Sequence, residues 1–77
     1  MNVFRINTTA YEEEDFYLVT SLSESKITKV IRPIVRAERD ETTGVEHYDN
    51  DSLVLALKRA YPIDTIKHYS EMPEITI

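Results

Sequence analysis

The 77-residue sequence holds no cysteine, no tryptophan and a single glycine, Gly44. Without cysteine there is neither a disulfide nor a thiolate zinc site, so packing alone must hold the fold together. A domain of this size buries only about 60% of its unfolded surface, which is why many small scaffolds add such staples. One glycine excludes glycine-rich phosphate loops and dinucleotide fingerprints, which need several glycines for close backbone approach to the ligand. No apolar run approaches the roughly 18 residues of a membrane span. Met1 to Thr9 alternates and has no apolar core of a signal peptide. These absences lead us to expect a cytoplasmic chain with no membrane association and no cofactor.

What is present fits a globular chain: 42% of the residues are hydrophobic and 30% charged. The length is that of one domain, residues 1–77, with residues 71–77 a tail or an edge strand. The net charge is -5, from 9 Lys and Arg against 14 Asp and Glu. That charge is unevenly placed. Glu12, Glu13, Glu14 and Asp15 are consecutive, whereas Lys26, Lys29, Arg32, Arg36 and Arg39 oppose them a short way along the chain. The chain is better described as dipolar than as simply acidic.

Hydrophobic spacing gives the elements. Asn2 to Thr9 has the period of two of a strand, with Phe4 and Ile6 on one face. Phe16 to Leu22 is rich in aromatic and β-branched residues and apolar on both faces, which predicts a central strand with Phe16, Leu18 and Thr20 on one side. Ser23 to Arg39 admits two readings. Ile27, Val30, Ile31, Ile34 and Val35 follow the amphipathic helix template, with Ser21 and Glu24 together, or Ser23 alone, to cap its start and the five cations on the other side. Pro33 opposes that helix, because an interior proline removes a hydrogen bond and clashes with the preceding turn, at a cost of about 3 kcal/mol. It would kink the helix, or split it at Arg32. The competing reading is a long edge strand over Lys26 to Arg39, turning at Asp40 to Gly44 and pairing with Val45 to Tyr48. The i+3/i+4 pattern favours the helix.

In the second half, Asp49 to Ser52 is an N-cap cluster for a helix over Leu53 to Tyr61. Leu53, Val54, Ala56, Leu57, Ala60 and Tyr61 form its expected buried face, and Pro62 stops it. Ile63 to Tyr69 reads as a returning strand with Ile66 in the core, and Glu74 to Ile77 as a short edge strand. The fold class is therefore α+β: a small antiparallel or mixed sheet of three to five strands, with one or two helices packed on one face.

No catalytic or metal motif emerges. A calcium loop starting at Asp49 would place Val54 where the turn glycine belongs and Ala60 where the bidentate glutamate belongs. His47 and His68 form a zinc pair only if the fold joins them. Serine, histidine and aspartate occur in no nucleophile motif, and small domains seldom enclose a pocket of about 300 Å³ or more. An enzyme is not expected.

The features left are surfaces. Glu12, Glu13, Glu14 and Asp15 are either a solvated turn or an electrostatic docking patch for a basic partner, with Tyr11 and Tyr17 as rigid amphipathic anchors. The leading expectation is a small acidic protein-interaction module, an inhibitor, adaptor or modulator of a larger protein. A phage or mobile-element accessory protein would fit this size and composition. One alternative is a nucleic-acid-associated regulator using the stripe Lys26, Lys29, Arg32, Arg36 and Arg39, although the acidic field of the whole chain repels a polyanion. A second alternative is a homo-oligomeric structural or assembly subunit, paired through a sheet edge or through the tail Ile75 to Ile77. Tyr17, Tyr48 and Tyr69 are expected half-exposed on strands.

Overall fold

The computed structural model describes residues 1–72 of the chain. In chain order the elements are β1 (Asn2–Ile6), β2 (Phe16–Thr20), α1 (Glu24–Ala37), α2 (Asn50–Ala60) and β3 (Ile66–Tyr69). The strands form an antiparallel sheet in the order β1-β2-β3, and both helices lie on one face, an α+β fold. The edge strand expected over Glu74 to Ile77 lies outside the described residues.

Cross-strand register sorts the side chains. Phe4 pairs with Leu18 and Leu18 with His68; Ile6 pairs with Phe16, and Thr20 with Ile66. These residues share the helix-facing side, where Phe16, Leu18, Thr20 and Ile66 are buried. The other side carries Arg5, Tyr17 and Tyr69 in one row and Val3, Val19 and Lys67 in the next. Among the described residues no helix covers it, and Val3 and Tyr69 are exposed there. Leu18 is fully enclosed, which stabilises the fold by about 1.5–3 kcal/mol relative to an exposed leucine. Leu22, Ile27, Leu53, Val54 and Leu57 complete the centre of the core.

Each strand is shorter than its hydrophobic pattern: side chains take over the backbone hydrogen bonds at the ends of β1 and β2, and a turn precedes β3. β1 ends at Ile6 rather than Thr9: the Thr8 amide donates to the Asp15 carboxylate at 2.7 Å and the Thr9 amide to the Tyr48 hydroxyl at 2.9 Å. β2 ends at Thr20 rather than Leu22, where the Leu22 amide donates to the Thr20 hydroxyl at 3.1 Å. β3 starts at Ile66, not Ile63, because Tyr61 to Asp64 turns and the Asp64 amide donates to the Tyr61 carbonyl. Ile63 is left 97% exposed.

Between Ser23 and Arg39 the helix prevails. Ser23 caps α1, its hydroxyl accepting from the Lys26 amide at 3.3 Å, and the helix runs unbroken through Pro33. A strand would send Val30 and Ile34 to the face opposite Ile27, Ile31 and Val35. The helix brings all five against the core, and two further aliphatic contacts offset a proline cost of about 3 kcal/mol. Pro33 itself is exposed. A remnant of the competing hairpin survives beyond the helix. The Asp40 amide donates to the Val45 carbonyl and the Gly44 amide to the Asp40 carbonyl, both at 2.8 Å, and Arg39 bridges to Glu46. Gly44 supplies the left-handed φ of 73° that this turn needs.

α2 begins at Asn50 with Asp49 as its cap, the Asp51 amide donating to the Asp49 carboxylate at 2.9 Å. Leu53, Val54 and Leu57 are buried, but Ala60 is exposed because the helix ends as the chain leaves the core. Tyr48 corrects the expectation of a half-exposed strand tyrosine. It is buried and lies outside the strands, with its hydroxyl tied to Thr9.

Candidate functional site

The acidic run sits in the connection from β1 to β2, and its position follows from a set of hydrogen bonds to the segment before α2. The Tyr11 amide donates to the Glu46 carbonyl at 2.9 Å, beside a parallel bridge between Ala10 and Glu46. The Asn50 amide, at the start of α2, donates to the Glu13 carboxylate at 3.2 Å, and the Asn50 side-chain amide donates to the Glu14 carbonyl at 2.7 Å. The Thr8 hydroxyl donates to the Asn50 side chain at 3.2 Å. These bonds lay the acidic turn against the first turn of α2. Glu12, Glu13, Glu14, Asp15, Asp49 and Asp51 then surround one open concavity of about 690 Å³, with His68 and Tyr69 on its β3 side.

The six carboxylates do different work. Asp15 accepts the Thr8 amide through Oδ1, and its Oδ2 pairs with the Arg5 guanidinium at 2.9 Å. The backbone hydrogen bond from Thr8, and after it the bond from Arg5, hold the Asp15 carboxyl below its ordinary range. Glu13 satisfies an amide at the N-terminus of α2, where the helix dipole also favours negative charge. Asp49 caps the same helix. Glu12, Glu14 and Asp51 remain exposed, with Asp51 lying 3.7 Å from His68 Nε2. Glu12 adopts a left-handed φ of 64°, uncommon for a residue other than glycine.

Of the two anchor tyrosines, Tyr11 is exposed on the turn with its ring near that of His47. Tyr17 is half-buried on the uncovered sheet face, directly opposite Tyr69. Tyr69, 40% exposed, lines the acidic concavity and so joins it to that face. The sequence reading missed Tyr69, Asp49 and Asp51 as members of this site. The two aspartates carry the signal of a helix cap, and only the hydrogen bonds of Asn50 bring that cap to the acidic turn. Glu46 also approaches the turn, but it is buried. Its Oε1 accepts the Thr9 hydroxyl at 2.6 Å and lies 3.6 Å from Arg39. Asp40 is absorbed by its own turn, accepting the Thr42 amide at 2.8 Å.

The basic stripe divides. Lys26 lies at the α2 side, its ammonium 5.8 Å from the centre of the Tyr61 ring while the Tyr61 hydroxyl donates to the Lys26 carbonyl. Lys29 is exposed farther along α1. Arg32, Arg36 and Arg39 line an open groove of about 400 Å³ between α1 and β1, whose apolar residues are Phe4, Ile6, Ile27, Ile31 and Val35.

His47 and His68 stand in different surroundings, the first beside Tyr11 and the second beside Phe16 and Asp51. Among the described residues no group of three histidines or acids is placed to hold a metal ion, and no helix is long and apolar enough to cross a membrane. Comparison with family models, with curated proteins and with solved structures finds no significant match to this chain.

Proposed function

We propose that this chain is a non-enzymatic protein-interaction module, an inhibitor, adaptor or modulator that docks its acidic concavity on a basic surface of a larger protein. The observation that carries this reading is the convergence of Asp49 and Asp51 with Glu12 to Asp15 around one open concavity bordered by Tyr69. Carboxylates lining a concave surface focus the field toward solvent, which speeds encounter with a cationic partner and fixes its orientation. Tyr69, with Tyr17 beside it, supplies rigid amphipathic area of the kind that anchors interfaces. Glu13, Asp15 and Asp49 already serve the fold, so docking falls to Glu12, Glu14 and Asp51.

The test is capture from a lysate by the wild-type chain and by a triple variant, Glu12→Lys, Glu14→Lys and Asp51→Lys, with partners identified by mass spectrometry. The variant should lose the captured protein while keeping a native circular dichroism spectrum. With the partner in hand, association should slow about tenfold or more. Equal capture by both proteins would refute the reading.

A further inference from the structure

α2 packs on β3 and α1 packs on α2, while an open groove lies between α1 and β1. Two features define it. Of the α1 stripe only Ile27 is buried, and Val30, Ile31, Ile34 and Val35 are half-covered. Among the described residues β1 is an edge strand, so its outward N–H and C=O groups have no ladder partner.

The groove is cationic. Arg32 and Arg36 lie one helical turn apart on its α1 wall, and among the described residues neither forms an ion pair. Like charges at this spacing destabilise a helix by about 0.2–0.5 kcal/mol; the helix dipole favours Arg36 in the last turn but not Arg32. The one acid that lines the groove, Glu24, sits at the far end of α1 and forms no ion pair among the described residues, while Asp15 is engaged with Arg5 and Glu46 with Arg39 and Thr9.

We propose that this groove takes an extended acidic segment of a partner protein, added as a fourth strand beside β1. On its helix-facing side, apolar side chains that cover Ile31 and Val35 would alternate with carboxylates that meet Arg32 and Arg36. Strand addition supplies main-chain hydrogen bonds, the apolar floor supplies pockets at alternate positions, and the arginines select for acidic sequence. The aliphatic floor favours a peptide over nucleic acid, whose bases prefer aromatic platforms. The groove shares no residue with the acidic concavity, so this proposal stands or falls separately from the docking function above.

The experiment uses the full chain and a fluorescein-labelled synthetic peptide with valine and glutamate in turn at every second position and threonine between them. Anisotropy should report saturable binding that is lost at least tenfold in the Arg32→Glu/Arg36→Glu variant and in a peptide with lysine replacing glutamate. Amide chemical-shift changes should map to Phe4–Asn7 and to the second half of α1. Because both arginines are exposed, the variant should fold, which its amide spectrum verifies; Arg32→Gln/Arg36→Gln provides a milder second variant. The proposal is overturned by any of four results: no binding at about 1 mM peptide, equal binding of a composition-matched peptide with its valines grouped together, tighter binding of a single-stranded oligonucleotide in the same groove, or the same shifts appearing on concentration of the chain alone, which would assign the groove to a second copy.

Discussion

Arg5 and Asp15 tie the edge of the sheet to the acidic turn: the guanidinium donates to one carboxylate oxygen at 2.9 and 3.3 Å, while the other receives the Thr8 amide at 2.7 Å. A residue that reads as one acid among four is thus the one that ends β1 and sets the approach to β2. Both interactions favour the ionised carboxyl, so its folded-state pKa lies below the unfolded value of about 3.9. Its contribution to stability is full above that unfolded value and is lost as the pH falls through the lower folded value. Thermal melts of wild type and Asp15→Asn should therefore differ at pH 6 and converge as the pH falls through the lowered folded-state value. A constant gap across that range would contradict this assignment.

Neighbouring glutamates should behave differently. Glu13→Ala removes the acceptor for the Asn50 amide and should cost about 1 kcal/mol. Glu14→Ala leaves intact the carbonyl that Asn50 uses and should be neutral within about 0.5 kcal/mol. Urea denaturation of the two variants gives the comparison, and equal losses would mean that the Glu13 bond contributes nothing.

Pro33 is the residue at which the helix is weakest. It is exposed, so alanine there leaves no cavity and restores a backbone donor. Pro33→Ala should stabilise the chain by about 1–3 kcal/mol, raising Tm by about 4–8 °C per kcal/mol for a domain of this size. An unchanged or lower Tm would mean that the proline serves the fold.

Gly44 gives the converse case. A Cβ built there meets no atom within 4 Å, so any loss in Gly44→Ala comes from the left-handed backbone alone, about 1–2 kcal/mol. Leu18→Ala, at the fully buried centre of β2, should cost about 3–5 kcal/mol. That is a large part of a total of about 5–10 kcal/mol, and partial unfolding at 37 °C by circular dichroism is the expected readout.

Periodicity reveals elements because it records which side chains meet the core. Phe16, Leu18 and Thr20 were legible as the inner face of a central strand, and Leu53, Val54 and Leu57 as that of a helix, from spacing alone. Strand ends were not legible, because Thr8 and Thr9 donate to side chains that the fold brings from elsewhere and Leu22 donates to the hydroxyl of Thr20, two residues before it. The acidic site was half legible. Its run of four acids is visible in the sequence, but Asp49, Asp51 and Tyr69 join it only through tertiary hydrogen bonds and strand register. The groove was least legible: the arginines were apparent, yet the apolar residues beside them depend on how α1 lies beside β1.

The sheet order also has a kinetic meaning. β2 receives β1 from the adjacent segment, but it receives β3 only after both helices have been traversed, with Tyr17 opposite Tyr69. Closing that long interval costs chain entropy before any contact repays it. The β1–β2 hairpin can form locally, whereas β3 docks once α2 provides a surface for Ile66. The four residues of β3 should accordingly be the first part of the sheet to open, and the amides they share with β2 should exchange with solvent sooner than those between β1 and β2.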